Sequence, residues 1–290
     1  MTKLQKAYSI PTFTGLGIED DFDDFQPKFT ARYAATDDSS VYMTAAKGFR
    51  EGGFNPLLIG TEFEAYPIDE LWSYEIGYKT RFSNGRGSLD VAAYYIDVTA
   101  FNGAANVPTP AGLRTVTVPI GEVESYGIEL ATTYALNENF LVSFTGGTNI
   151  AEPTELDPRT SRPTAQEGEQ LPAAPEWTAR LEGIYTATVF DDMYFRFTLG
   201  ASGVGPTNFS GAELPTRPAL VTRDSYYLFD ANASLEWDRY TVSAFIQNAG
   251  DETYADGYLD QEVLGAYGAT SSGVYYGQQQ YFGMSLRVAL

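Results

Sequence analysis

The sequence predicts an all-β protein, an antiparallel transmembrane β-barrel, on three observations. Apolar and polar residues alternate with period two in one stretch after another, tight turns alternate with long loops, and no apolar run approaches the ~18 residues a membrane-spanning helix needs. The composition agrees. The 290 residues include 21 Tyr, 18 Phe and 3 Trp, with 28 Gly to serve the turns between strands. A mean hydropathy of −0.22 is compatible with strands that have one greasy and one wet face.

The alternation is clearest at the C-terminus, where Phe282, Met284, Leu286, Val288 and Leu290 interleave with Gly283, Ser285, Arg287 and Ala289. Successive side chains of a strand point to opposite faces, so the first set meets oil and the second water. Tyr240, Val242, Ala244 and Ile246 repeat the pattern, as do Met193, Phe195, Phe197 and Leu199, then Trp72, Tyr74, Ile76 and Tyr78, and Tyr126, Ile128 and Leu130. Strands are expected near 25–36, 40–51, 68–82, 87–100, 117–135, 139–151, 173–189, 192–204, 224–237, 239–249 and 275–290.

Between them, 37–40 (DDSS), 83–86 (SNGR), 137–139 (NEN), 191–192 (DD) and 238–239 (DR) are tight turns of residues that tolerate unusual backbone angles. They alternate with long Gly, Pro and acid-rich stretches near 52–66, 101–115, 152–172, 205–222 and 250–274. Short turns on one rim and long loops on the other is the layout of an outer-membrane barrel. Tyr33, Tyr42, Tyr134, Phe140, Tyr194, Trp237 and Tyr240 flank the turns and are expected to form an interfacial girdle. Residues 1–24 are expected to be a loop or partial strand left by truncation. Pro11 and the acidic run from Glu19 to Asp24 argue against a full strand, and the first strand would then start on the long-loop side.

The missing residue types exclude whole chemistries. With neither Cys nor His there is no thiolate nucleophile, imidazole base, disulfide frame or zinc site of the usual ligands, so no catalytic residue, metal site or cofactor is assigned. With 38 Asp and Glu against 18 Lys and Arg, the net charge of −20 repels phosphate and excludes nucleic acid as a partner. The acidic clusters in the long loops lack the spacing of a calcium loop and read as solvated faces. Tyr254, Tyr258, Tyr267, Tyr275 and Tyr276 gather with Gln278, Gln279 and Gln280 around the last loop, where they either pack the rim or stack on a sugar or planar ligand. Lys79, Glu129, Arg180, Glu182 and Arg196 fall on the polar faces and are expected to line a wet lumen.

Particular residues then match a family. Residues 41–56 (VYMTAAKGFREGGFNP) resemble a stretch common in the barrels of TonB-dependent outer-membrane receptors. Segments 70–79 (ELWSYEIGYK), 124–130 (ESYGIEL), 171–178 (LPAAPEWT) and 245–254 (FIQNAGDETY) follow in the family's order, so the resemblance covers about 25–290. It implies the C-terminal part of the barrel, about 11–12 strands of 22, with the plug domain absent. It also implies the outer membrane of a Gram-negative cell and uptake of a scarce nutrient such as a ferric siderophore, cobalamin or an oligosaccharide, without enzymatic chemistry. The implied partners are membrane lipid, lipopolysaccharide, the TonB complex through the missing plug, and the barrel-assembly machinery. The assembly signal would be Phe282, Met284, Leu286, Val288 and Leu290, with Leu290 standing where the family usually ends in Phe or Trp. The alternative is a standalone passive or structural outer-membrane barrel without TonB coupling. A soluble enzyme acting on polysaccharide fits less well, because outward apolar faces would need burial.

Overall fold

A computed structural model describes residues 2–9, 17–56, 58–109, 112–160, 166–190, 192–209, 221–259 and 270–289, and among them every element is a strand. Strands β1 (Thr2–Ser9) and β2 (Gly17–Asp24) make a hairpin of their own. Then come β3 (Lys28–Ala34) and β4 (Ser39–Arg50), and the two-residue ribbon of β5 (Gly53–Phe54) and β6 (Ala65–Tyr66). They are followed by β7 (Asp69–Phe82), β8 (Gly87–Thr109), β9 (Gly112–Ala135), β10 (Phe140–Thr148) and β11 (Ile150–Leu156). Next are β12 (Trp177–Phe190), β13 (Met193–Val204), and the ribbon of β14 (Thr207–Asn208) and β15 (Thr222–Arg223). The chain closes with β16 (Tyr226–Trp237), β17 (Tyr240–Gln247), the ribbon of β18 (Ala255–Leu259) and β19 (Gly273–Tyr276), and β20 (Tyr281–Val288).

One antiparallel sheet runs β3-β4-β7-β8-β9-β10-β12-β13-β16-β17-β20, with every strand beside its predecessor in the chain, and β11 extends β10 along β9. The sheet is open, with β3 and β20 at its edges. The eleven expected strands correspond to these eleven. The turns work as their residues suggest: Ser83, Asn84 and Gly85 take φ of 56°, 57° and 81°, and Asp238 takes 49°.

The register separates two faces across the whole sheet. On one, Phe195 pairs Leu235, Leu235 pairs Val242 and Val242 pairs Leu286, while Tyr78 pairs Val91 and Val91 pairs Leu130. Phe282 and Met284 on this face are each 79% exposed, and Leu286 is 65% exposed, so they lie outside any protein core. On the concave face, Ser40, Lys79, Asp90, Ala131, Thr145, Arg180 and Ser202 form one row. Aromatics at the turn rim pack on the apolar face, as in Trp237 on Tyr240 with ring centroids 5.7 Å apart. Tyr42 and Tyr194 correct the expected girdle. Tyr42 opposes Gly77 and Tyr194 opposes Glu236, both on the concave side, because position within a strand and not nearness to a turn sets the face.

The loop expected at 101–115 and the strand boundary expected at 173 are also corrected. Within the 101–115 stretch, residues 101–109 and 112–115 belong to paired strands, since the β8–β9 ladder continues far beyond the sheet. Residues 17–24, within the segment expected as loop or partial strand, pair with β1, with the register setting Lys3 opposite Asp23 and Lys6 opposite Asp20. The strand expected from 173 begins at Trp177, after Pro172 and Pro175 have interrupted the ladder. Among the described residues, the buried apolar cluster is Ala105, Val118 and Ile120, flanked by Phe63, Phe101, Val107, Val116 and Leu156. It sits in the hairpin extension, because the strands of the sheet turn their apolar side chains outward.

Candidate functional site

The concave wall is built by side chains that lie across glycines of neighbouring strands. The Tyr42 ring covers Gly77, where a Cβ would stand 2.3 Å from it, and Lys79 Nζ lies 5.3 Å from the same ring while pairing with Asp90. Arg180 spreads over Gly200 in the same way, where a Cβ would meet its guanidinium at 2.6 Å. It donates to Ser202 Oγ at 2.8 Å and to Glu182 Oε2 at 3.1 Å, and it faces Asp230 Oδ2 at 3.4 Å. Tyr42, Glu75, Lys79, Asp90, Glu129 and Arg180 line a hollow of about 520 Å³. A wall of paired charges and hydroxyls is wettable and suits contact with a polar occupant.

At the long-loop rim, Asn248 organises the last loop. It is 4% exposed and takes a left-handed φ of 47°, a conformation that an Asn tolerates better than most residues. Its Nδ2 donates to Glu252 O at 2.8 Å and Gln278 O at 3.0 Å, and its Oδ1 accepts from Glu252 N at 2.9 Å. The loop thus shaped brings Tyr254 onto Tyr226 in a stack with centroids 4.1 Å apart and planes 10° apart. Gly277 permits this, since a Cβ there would fall 2.0 Å from the Tyr254 ring. Arg223 covers the stack with its Cζ 4.6 Å from the Tyr226 ring, and donates to Ala255 O at 2.8 Å and Thr207 Oγ1 at 2.6 Å.

Beyond the opposite part of the rim, the extension of β8 and β9 forms a platform with two loops. Asn55 Nδ2 donates to Phe63 O at 2.9 Å and Thr117 O at 2.6 Å, while Thr160 Oγ1 donates to Pro119 O at 2.6 Å. At its base, buried Asp69 accepts from Asn102 N at 3.1 Å and pairs with Arg50. In the loop after β11, Arg159 Nε donates to Asp157 Oδ1 at 2.9 Å, and this bond holds the Asp157 carboxyl below the usual range.

The structure places the expected contact residues differently from one another. Tyr254 is engaged in the stack, Tyr258 bonds Ser272 Oγ at 2.8 Å, and Tyr275 and Tyr276 are 58% and 66% exposed. Tyr267 and Leu290 lie outside the described residues. Phe282, Met284, Leu286 and Val288 share the apolar face of β20. Arg223, Tyr226 and Asn248 were missed as site residues. Asn248 stands out in the sequence only as part of the 245–254 segment that resembles the family, with no sign of its role in the loop, and Arg223 and Tyr226 meet the loop solely through tertiary contacts.

Comparison with known proteins follows from this geometry. The family described as TonB dependent receptor-like, beta-barrel, matches residues 6–249. The pesticin receptor of Yersinia enterocolitica is 24% identical over 243 residues, covering 80% of this chain and 32% of that protein. The ferric yersiniabactin uptake receptor FyuA of Yersinia pestis superposes with a TM-score of 0.75 at 16% identity, over 94% of this chain and 38% of that one. The siderophore receptor PiuA of Acinetobacter baumannii gives 0.71 at 16% identity, over 99% and 39%. At such identities the two structures show the fold alone. The chain spans about a third of the length of the curated relative.

Proposed function

Because the chain belongs to the TonB-dependent receptor β-barrel family, we propose that it forms part of the wall and mouth of an outer-membrane receptor for TonB-dependent uptake of a scarce nutrient. The observation that carries this reading is the segregation of faces across the eleven-stranded sheet, with exposed apolar side chains on the convex side and polar, charged or small ones on the concave side. Burying the convex face in lipid stabilises it by roughly 25 cal/mol per Å² of apolar surface, whereas water would leave that stabilisation unrealised. The polar wall supports a lumen that receives a plug domain, through which the TonB complex acts.

The ferric yersiniabactin uptake receptor and the siderophore receptor among the similar structures support a ferric siderophore as the substrate over cobalamin or an oligosaccharide. Contact is assigned to Tyr275 and Tyr276, whose rings are exposed at the mouth, with Tyr258 and Tyr267 as further aromatics of the loop, while Tyr254, stacked on Tyr226, supports them from beneath. The apolar positions Phe282, Met284, Leu286, Val288 and Leu290 are assigned to recognition by the barrel-assembly machinery. Lipid and lipopolysaccharide surround the convex face in the outer membrane of a Gram-negative cell.

Uptake of radiolabelled ferric siderophore by iron-starved cells carrying the full-length receptor tests this reading. Accumulation that stops when TonB is deleted is the expected result. Entry indifferent to TonB, with steady conductance of the purified protein in a planar bilayer, would replace it with a passive barrel.

A further inference from the structure

Two hydrogen-bond networks in different parts of the molecule meet on one carboxylate. Asp230, on the concave face of β16, presents Oδ2 to Arg180 Nη1 at 3.4 Å and accepts the backbone N–H of Asn248 on Oδ1 at 3.1 Å. On the wall side, Arg180 is tied to Ser202 and Glu182. On the mouth side, Asn248 holds Glu252 and Gln278, and Asp251 Oδ1 accepts from Gln280 N at 3.2 Å. Gly277 N then donates to Tyr254 O at 2.9 Å, at the foot of the stack on Tyr226.

We propose that Asp230 is a positioning residue that couples the lumen wall at Arg180 to the order of the last mouth loop. The left-handed backbone at Asn248 is costly for a residue with a side chain and persists because its surroundings over-determine it. The bond from its N–H to an ionised carboxylate is one of the stronger restraints on it. A carboxylate entering the lumen and engaging the Arg180 fork withdraws the cation that orients Asp230, and the Asn248 anchor slackens. Linkage makes the effect reciprocal, so a ligand that orders the mouth loop tightens the Asp230 contact with Arg180. A chain of contacts is not itself coupling, and only a response at one end to a change at the other establishes it.

The test is hydrogen exchange of the full-length receptor, reading the amides of 249–259 and 273–280, with heat-modifiable migration in SDS as the check on folding. Arg180→Gln touches none of those amides, yet it is expected to speed their exchange by at least about five-fold, the lower end of ordinary coupling. Asp230→Ala should do the same. Asp230→Asn keeps an oxygen for Asn248 and should restore slow exchange while abolishing the response to Arg180→Gln. Arg180→Met, which removes the charge at similar length, replaces Arg180→Gln if that variant does not fold. Slow exchange in folded Arg180 variants, or additive effects of the Arg180 and Asp230 changes, would reduce Asp230 to a local cap and overturn the proposal. The exchange readout is independent of transport, so it can fail while the uptake assignment stands.

Discussion

Phe82 lies over Gly87 and stacks on Tyr134, with ring centroids 5.8 Å apart and planes 8° apart. The three residues stand opposite one another on β7, β8 and β9 at the turn rim of the convex face. The glycine leaves the space through which two strands on either side of a third join their rings. A Cβ at Gly87 would come within 2.4 Å of the Phe82 ring, so Gly87→Ala must displace it. Loss of the stack is expected to cost about 0.5–1.5 kcal/mol, read as a lower urea midpoint for the receptor in lipid vesicles. An unchanged midpoint would show that the ring pair contributes nothing.

Neighbouring residues of β20 separate the two solvents. Met284→Lys puts a charge on the lipid side near mid-strand and should destabilise by about 2–4 kcal/mol. Ser285→Lys, one residue on and facing the lumen, should leave stability near wild type. Equal effects in vesicle unfolding would contradict the assignment of faces.

The hairpin extension has its own core and should fail on its own. Ile120 is 1% exposed, and Ile120→Ala is expected to cost about 2–5 kcal/mol, confined to the platform. Gly121 has φ of 139° and a Cβ there would lie 1.9 Å from Glu155 O, so Gly121→Ala should loosen the same region through the backbone. Limited proteolysis should cut within 99–120 in both variants while the barrel keeps its resistance to SDS. Global unfolding instead would mean that platform and barrel are one cooperative unit.

The Asp157 and Arg159 pair gives a pH dependence with a definite sign. The folded carboxyl is held below its unfolded value by the guanidinium bond, so its contribution is fully present above the ordinary carboxylate pKa of about 3.9. It is lost as pH falls through the depressed folded value. Exchange of the 157–160 amides, corrected for intrinsic rates, should therefore rise on acidification below pH ~4, and Asp157→Asn should remove that rise.

At the mouth, exposure predicts which tyrosine acts on ligand. Tyr276→Ala should raise the apparent KM for uptake several-fold with receptor amount and exchange rates unchanged, since its ring is 66% exposed. Tyr254→Ala should speed exchange of the loop, because that ring is stacked on Tyr226. The reverse pattern would exchange the two roles.

Much of this was legible from residue order alone, and where it was not the reason is physical. Alternation of period two assigned Phe282, Val242 and Phe195 to one face because that period is built into the extended backbone. Turn chemistry marked Asn84 and Gly85 correctly, since left-handed angles are a local property. Nearness to a turn misplaced Tyr42 and Tyr194, whose face depends on register with Gly77 and Glu236. The 101–115 stretch looked like a loop because Gly103, Pro108 and Pro110 are loop residues, yet Gly103 and Pro108 sit in a two-stranded ribbon that other loops cover.

A local periodic pattern was thus enough to establish a wall of antiparallel strands with an apolar face on one side and a polar face on the other, because each strand carries that information within itself. No such pattern could place Asp230 between Arg180 and Asn248, stack Tyr254 on Tyr226, or raise Ala105, Val118 and Ile120 into a core beyond the sheet. Those contacts join residues far apart along the chain, and they exist only once the register of the intervening strands has brought them within reach.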